Sequence, residues 1–301
     1  MLSIVLPVYN ESESILECLR KLAGVLTGYS HEILVCYDYD EDLTLPIIKE
    51  NIKEFPSVSF VKNAYGGGAA NAIRSGIESS RGEIVITTMA DLSDPPEIIP
   101  EMVKKIQEGA WVVSASRYIP GGSIEGAPFI KENLSRFAGL SFSLLTGINT
   151  KDITNNFRAY KRELFELIEI ESVHGFEIGL ELTVKAFRLG LKIDEEPSRW
   201  EERAGGESKF QLFKWLPFYL RWYFYGLTPV LLYMSVTLLL LSTTYFLTDS
   251  PLILSYSYLI VATSFFFLRK KRIKERSVFI PLILLNPLLI VVFDKLLLDW
   301  L

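Results

Sequence analysis

The chain has little cysteine, no basic leader and no low-complexity linker, and each shortage closes off a class of protein. Cys18 and Cys36 are the only cysteines in 301 residues. Cys18 sits at a helical spacing and Cys36 ends an apolar run, which predicts two buried reduced thiols and argues against a disulfide framework or thiolate metal site. The opening "MLSIVLPVY" has no basic segment and no long apolar core, so it reads as a strand and not as a signal peptide. No internal repeat divides the sequence. The run "YGGGAAN" lacks the spacing of a G-x-G-x-x-G dinucleotide fingerprint, and a tight turn is the plainer account of it.

What is present is unevenly distributed. From Lys209 onward there are 10 Lys and Arg against 4 Asp and Glu, about +6, while residues 1–208 hold the other 21 basic and 32 acidic side chains, about −11. An acidic front and a basic, apolar tail argue against nucleic acid as a partner and point to a lipid bilayer.

The first ~115 residues alternate Val/Ile-rich runs with amphipathic stretches, the pattern of βαβ units around a parallel sheet. Strands are expected at 3–9, 32–37, 58–62, 83–88 and 111–116, with helices at about 12–26, 44–53, 69–80 and 96–108. A helix near 131–146, a strand at 157–161, a helix near 176–188 and a strand near 191–196 follow. The fold class is therefore α/β. After Lys209 the chemistry changes. Residues 209–226, rich in aromatics with scattered Lys and Arg, suit an amphipathic segment in the headgroup region. Residues 227–301 read as a membrane domain. Leu227–Leu247 is 21 residues without a charge, about 31 Å as a helix. Shorter uncharged runs at Leu252–Leu268 and Val278–Phe293 mark candidate helices 252–268 and 278–298, with a re-entrant or interfacial hairpin as the other reading of these two. The basic cluster "RKKRIKER" (269–276) between them belongs in the cytoplasm, and two crossings before it place residues 1–208 on the same side.

In an open parallel sheet, ligands bind at the carboxyl ends of the strands. Four such ends carry polar groups here: "PVYNESES", "CYDYDED", "KNAYGGGAAN" and "TTMADLSDPPE" (87–97). Each has a bland reading: Asn10 and Ser12 could only cap a helix, and the Asp38, Asp40, Asp42 cluster could be a solvated turn. Further on, "ASRYIPGG" sets Arg117 at a strand end. "ERAGGESKF" gathers Arg203, Ser208 and Lys209 among mobile glycines, which suits a diphosphate or a juxtamembrane anchor.

"IVLPVYNES", the Asp38 turn, "GGGAANAIRSGI", "ADLSDPPE", "SRYIPGG", "DITNNFRAYKRE" and "RAGGESKF" occur in one order, and that ordered set resembles family 2 glycosyltransferases. The resemblance covers roughly residues 1–225 and is nearest to the dolichyl-phosphate mannosyltransferases and related polyprenyl-phosphate glycosyltransferases. It implies a Rossmann-like, mostly parallel GT-A catalytic domain over 1–208. The implied activity is inverting hexosyl transfer from a nucleotide sugar, GDP-mannose or UDP-glucose, to a dolichyl or undecaprenyl phosphate. The implied place is a cell membrane or endomembrane, multi-pass, with the catalytic domain cytoplasmic; a homo-oligomer stays open.

The resemblance also assigns roles by position. Pro7, Tyr9, Glu11, Asp38, Gly67 and Ala90 fall on the nucleotide, and Arg203 and Lys209 on its diphosphate. Arg117, Lys131 and Ser135 fall on the acceptor phosphate. Asp91, Arg117, Asp152 and Arg203 form the catalytic set, and Asp91, with Ser93 and Asp94, would hold Mg²⁺ or Mn²⁺. The sequence departs from the family pattern at three places. Met89 replaces the first Asp of the metal motif, Lys131 stands where Arg is expected, and Asn155 and Asn156 replace a small residue and Gly before Phe157-Arg158. Met89 cannot serve a hard cation, so a site with one fewer carboxylate is expected. Two other readings remain: a non-catalytic or metal-impaired membrane partner built on this fold, and a processive polysaccharide synthase. The second is suggested by "EPSRW" (196–200), where Glu196 replaces the Gln of Gln-x-x-Arg-Trp.

Overall fold

Runs of consecutive apolar residues are buried on both faces, and that is what the front of the chain forms. The computed structural model describes residues 1–202 and 212–247. The strands β1 (Leu2–Pro7), β2 (His31–Tyr37), β3 (Val58–Lys62), β4 (Ile84–Thr87), β5 (Val112–Ser116), β7 (Arg158–Lys161) and β8 (Ile193–Pro197) make one sheet in the order β3-β2-β1-β4-β7-β5-β8. All pairs are parallel except those of β7, which runs antiparallel between β4 and β5. The mostly parallel α/β architecture expected from the sequence is thus present.

Pleating splits each strand between two cores. Ile4 and Leu6 of β1 face α1 (Ile15–Val25), α2 (Thr44–Glu50) and α4 (Ile99–Gln107), while Val5 faces α3 (Ala69–Ser79) and α7 (Ile178–Arg188). Both cysteines are buried and free, Cys18 in the first core and Cys36 in the second.

Two short elements were not expected, β6 (Ser123–Glu125) and the one-turn α6 (Leu164–Leu167), and the extended "EPSRW" stretch ends in a separate short strand, β9 (Arg199–Glu201). Three residues are too few to show a period, and β6 and β9 exist because they pair with each other, Ile124 opposite Trp200.

The largest difference lies after the sheet. α8 runs unbroken from Leu212 to Leu247, 36 residues, so the amphipathic segment and the first uncharged run are one helix. Its first turns do not lie free for a headgroup layer. Trp222 is 2% exposed and its indole N–H donates to Ser172 Oγ at 3.0 Å. Tyr223 meets Phe142 of α5 (Phe129–Thr146) edge-on at 5.2 Å, and Gly226 lies where a Cβ would collide with Phe142. Arg221 pairs with Glu171, which with buried Glu181 holds Lys185 of α7. The aromatic residues read as a lipid-facing band are in part a docking face. Among the residues whose side chains are described, no helix is long and apolar enough to cross a membrane. The runs at 252–268 and 278–298, and residues 203–211 with Arg203 and Lys209, lie outside the described residues.

Candidate active site

The carboxyl ends of β1, β2, β4 and β5 open into one cleft of about 1280 Å³. Pro7, Tyr9, Glu11, Asp38, Gly67, Asp91, Ser93, Asp94, Arg117, Lys131 and Ser135 all line it, so the structure brings together every described site residue expected from the sequence except Ala90 and Asp152. Ala90 is 1% exposed in the first core. Asp152 is fully buried behind the cleft wall.

One end of the cleft is built by strand-end loops. Asn10, in the left-handed region at φ 56°, is no helix cap: its amide donates to Asp42 and its Oδ1 accepts from Leu43 N. That bend projects Tyr9 toward the opening, edge-on to Tyr39 at 6.2 Å. Asp38 accepts from Asn63 Nδ2 at 2.8 Å and from the Gly68 amide at 2.9 Å, so its carboxylate organises the glycine loop. Gly68 has φ 131°, and a Cβ there would meet His174 O at 2.9 Å; only glycine suits that bend. Asp40 pairs with Lys62 away from this centre, and Asp42 is buried in loop bonds.

The turn after β4 separates two carboxylates that look alike in sequence. Asp91 lines the cleft and accepts from Ser93 N at 3.1 Å. Leu92 between them has φ 62°, a conformation a leucine reaches only at a cost of about 1 kcal/mol or more. Asp94 also borders the cleft but is only 6% exposed, and its Oδ1 accepts from Asn155 Nδ2 at 2.9 Å and Ser198 Oγ at 3.4 Å. Burial pushes its carboxyl up to about 6, although the Asn155 hydrogen bond and the Arg117 charge pull the other way.

At the other end stands Arg117, 12% exposed. It grips Asp152 with Nε–Oδ2 at 2.6 Å and Nη2–Oδ1 at 2.9 Å, and its own amide donates to the same carboxylate at 3.1 Å. Burial alone would raise the Asp152 carboxyl, but the guanidinium charge and these hydrogen bonds hold it below the ordinary range. Asp152 is therefore engaged with Arg117 and does not open onto the cleft. Lys131 of α5 reaches over the Trp200 ring at 6.0 Å. Ser135 shares a short hydroxyl contact with Tyr118 and donates to Glu132 O at 3.0 Å.

Asn155 and Asn156 are committed to the protein. Asn155 Oδ1 accepts from Phe157 N; Asn156 accepts from Gly179 N at 3.0 Å and donates to Phe176 O at 2.8 Å. They shape the cleft floor. Residues that the sequence reading missed include Tyr39, His174, Trp200 and, from α8, Lys214, Trp215 and Tyr219. Tyr39 was legible inside the acidic turn. His174, stacked on Phe218 of α8 at 3.8 Å, and the α8 residues had no local signal, because helix docking alone puts them there.

Among the described residues no group of three metal-ligating side chains occurs. The donor set fits a divalent ion in a narrower sense: Asp91 offers hard oxygen to the cleft, beside the thioether of Met89. An ion carried on a substrate diphosphate needs only one or two protein carboxylates, because phosphate oxygens and water fill the rest.

The model for glycosyl transferase family 2 matches residues 3–168. A dolichol-phosphate mannosyltransferase of Pyrococcus furiosus is 30% identical over 69% of this chain, which spans 59% of that protein's length. An undecaprenyl-phosphate mannosyltransferase of Micrococcus luteus is 31% identical over 68% of this chain and 85% of its own length. A polyprenol monophosphomannose synthase of Mycolicibacterium smegmatis is 30% identical over 68% and 79%. Among solved structures, a glucosyl-3-phosphoglycerate synthase of Mycobacterium tuberculosis with Mn²⁺, UDP and glucosyl-3-phosphoglycerate superposes with TM-score 0.56 at 18% identity, over 76% of this chain and 79% of that one. That likeness shows the fold alone.

Proposed function

The chain belongs to glycosyl transferase family 2, and from that premise we propose that it moves a hexose, mannose or glucose, from a nucleotide sugar to a polyprenyl phosphate at a membrane surface. The observation that carries this reading is the polarity of one continuous cleft: Asp91 and the Asp38–Gly68 loop at one end, Arg117 with its buried counter-ion at the other. The named relatives act on lipid phosphates with mannose, which supports mannose as the first donor to try.

The chemistry asks for little acid–base help. A polyprenyl phosphate is already an anionic nucleophile near neutral pH, so the protein's work is to align two anions and direct the attack. Arg117, held rigid by Asp152, receives the acceptor phosphate with Lys131 and Ser135 beside it. Pro7, Tyr9 and the Asp38 loop receive the nucleoside. Asp91 would hold Mg²⁺ or Mn²⁺, which when bound neutralises the departing diphosphate. Attack from the Arg117 side opposite the leaving group inverts the anomeric carbon. The lipid chain ties the reaction to a bilayer. In support, α5 presents Phe129, Ile130 and Phe137 at 79%, 64% and 71% exposure beside the cleft mouth, and α8 leads away from it into the uncharged run.

Incubating the full chain with labelled GDP-mannose or UDP-glucose, a polyprenyl phosphate and Mn²⁺ tests the reading. A single lipid-linked sugar is expected. A growing polymer would favour a processive synthase, and nucleotide binding without transfer from any donor would favour a non-catalytic partner.

A further inference from the structure

Asp91 and Arg117 follow different strands of the sheet, β4 and β5, yet a string of polar groups joins them. Ser93 N donates to Asp91, and one residue later Asp94 accepts from Asn155 Nδ2 at 2.9 Å. The Asn155 amide then donates to Asp152 Oδ1 at 3.2 Å, and Asp152 holds Arg117 by two bonds. Asp94 also accepts from Ser198, and Ser93 O accepts from Glu201 N at 3.0 Å, which ties the same turn to β9 and Trp200. The strained Leu92 at the centre of the turn persists because its flanks are fixed on both sides.

We propose that Asp94 and Asn155 are positioning residues that fix the donor-side turn carrying Asp91 against the acceptor-side Arg117, and that Asp94 is not a metal ligand. The proposal rests on the glycosyl-transfer reading of the cleft. Asp94 borders the cleft with only 6% of its surface, and its Oδ1 already accepts from an amide and a hydroxyl, which commits it to the turn before any ion. An amide oxygen in its place would still accept from Asn155, so geometry, not charge, is what the site draws from it.

The experiment compares Asp94→Ala, Asp94→Asn and Asn155→Ser in the full chain. It measures kcat, donor KM, melting temperature, and Mn²⁺ affinity by electron paramagnetic resonance in the presence of GDP or UDP. Asp94→Ala and Asn155→Ser are expected to lower kcat ~10- to 100-fold through misalignment while Mn²⁺ affinity and donor KM hold. Asp94→Asn should keep most of kcat, and the Ala/Ser double variant should be no worse than the poorer single. A tenfold or greater loss of Mn²⁺ affinity in Asp94→Asn, roughly the 10- to 100-fold cost of removing an ion's support, would overturn the proposal. So would wild-type kcat in Asn155→Ser. Where wild type transfers no sugar from any donor, the parent reading fails; where it transfers and these variants behave otherwise, only the positioning role fails.

Discussion

The two ends of the cleft are built by opposite means. The end proposed for the donor is made of loops that leave neighbouring parallel strands: Tyr9 after β1, Asp38 after β2, Asp91 after β4. Each follows its own strand, and bonds to later loops finish the placement: Asn10 to Asp42, Asp38 to the Gly68 amide, and the Asp91 turn to Asn155 and Ser198 through Asp94. The end proposed for the acceptor gathers Arg117 just after β5, Asp152 from 35 residues on, and Lys131 and Ser135 from α5. Asp91 lines the cleft, whereas the Arg117–Asp152 pair buries charge and must neutralise it. The donor end should therefore fail in activity when cut, and the acceptor end in stability as well.

The largest effect is expected at Asp91. Asp91→Ala should lower kcat by ~10²–10³ with an unchanged melting temperature, measured by transfer assay and calorimetry; normal transfer by this variant would remove Asp91 from the site. Arg117→Ala should cost both. It leaves Asp152 buried without its cation, a penalty of about 3–5 kcal/mol that chemical denaturation would report. If stability is untouched, the contrast between the two ends is wrong.

Asp94 gives a pH test. Its folded value of about 6 lies above the ordinary 3.8, so its contribution to stability is fully present below about 3.8 and is lost as pH rises through 6. Asp94→Asn should therefore gain on wild type by up to about 3 kcal/mol between pH 4 and pH 7. A gap that does not change with pH would mean the carboxyl is better solvated than its burial implies. The smallest effect belongs to Leu92→Gly, expected to stabilise by about 1 kcal/mol or less by relieving the left-handed leucine, offset by glycine's greater freedom when unfolded. A loss of stability would show that the Leu92 side chain, which packs on the first core, matters more than its strain.

How much could be read in advance follows the same division. Strands β1 to β5 and their polar ends were legible, because apolar runs and turn residues act locally. The turn after β4 was legible as a place, but not in its parts. Asp91 and Asp94 differ only in which way the chain turns at Leu92, and that depends on Asn155 and Ser198, 61 and 104 residues from Asp94. Asp152 was read as acting near the substrate; its burial under Arg117 is a tertiary fact. The aromatic stretch before the uncharged run showed amphipathicity but not its partner, so the docking of Trp222 against the rest of the protein was not legible.

By itself, the sequence determined the α/β alternation, the sheet edge where chemistry gathers, the family, and a cleft residue in Met89 that cannot hold a hard cation. Those properties rest on residue type and short spacing, which survive without coordinates. Only the tertiary structure decided which carboxylate faces the cleft, which is a buried brace, and that α8 forms a wall of the site. Such roles are set by burial and by partners distant in the chain, and a side chain's charge and hydrogen bonding change with the medium that surrounds it.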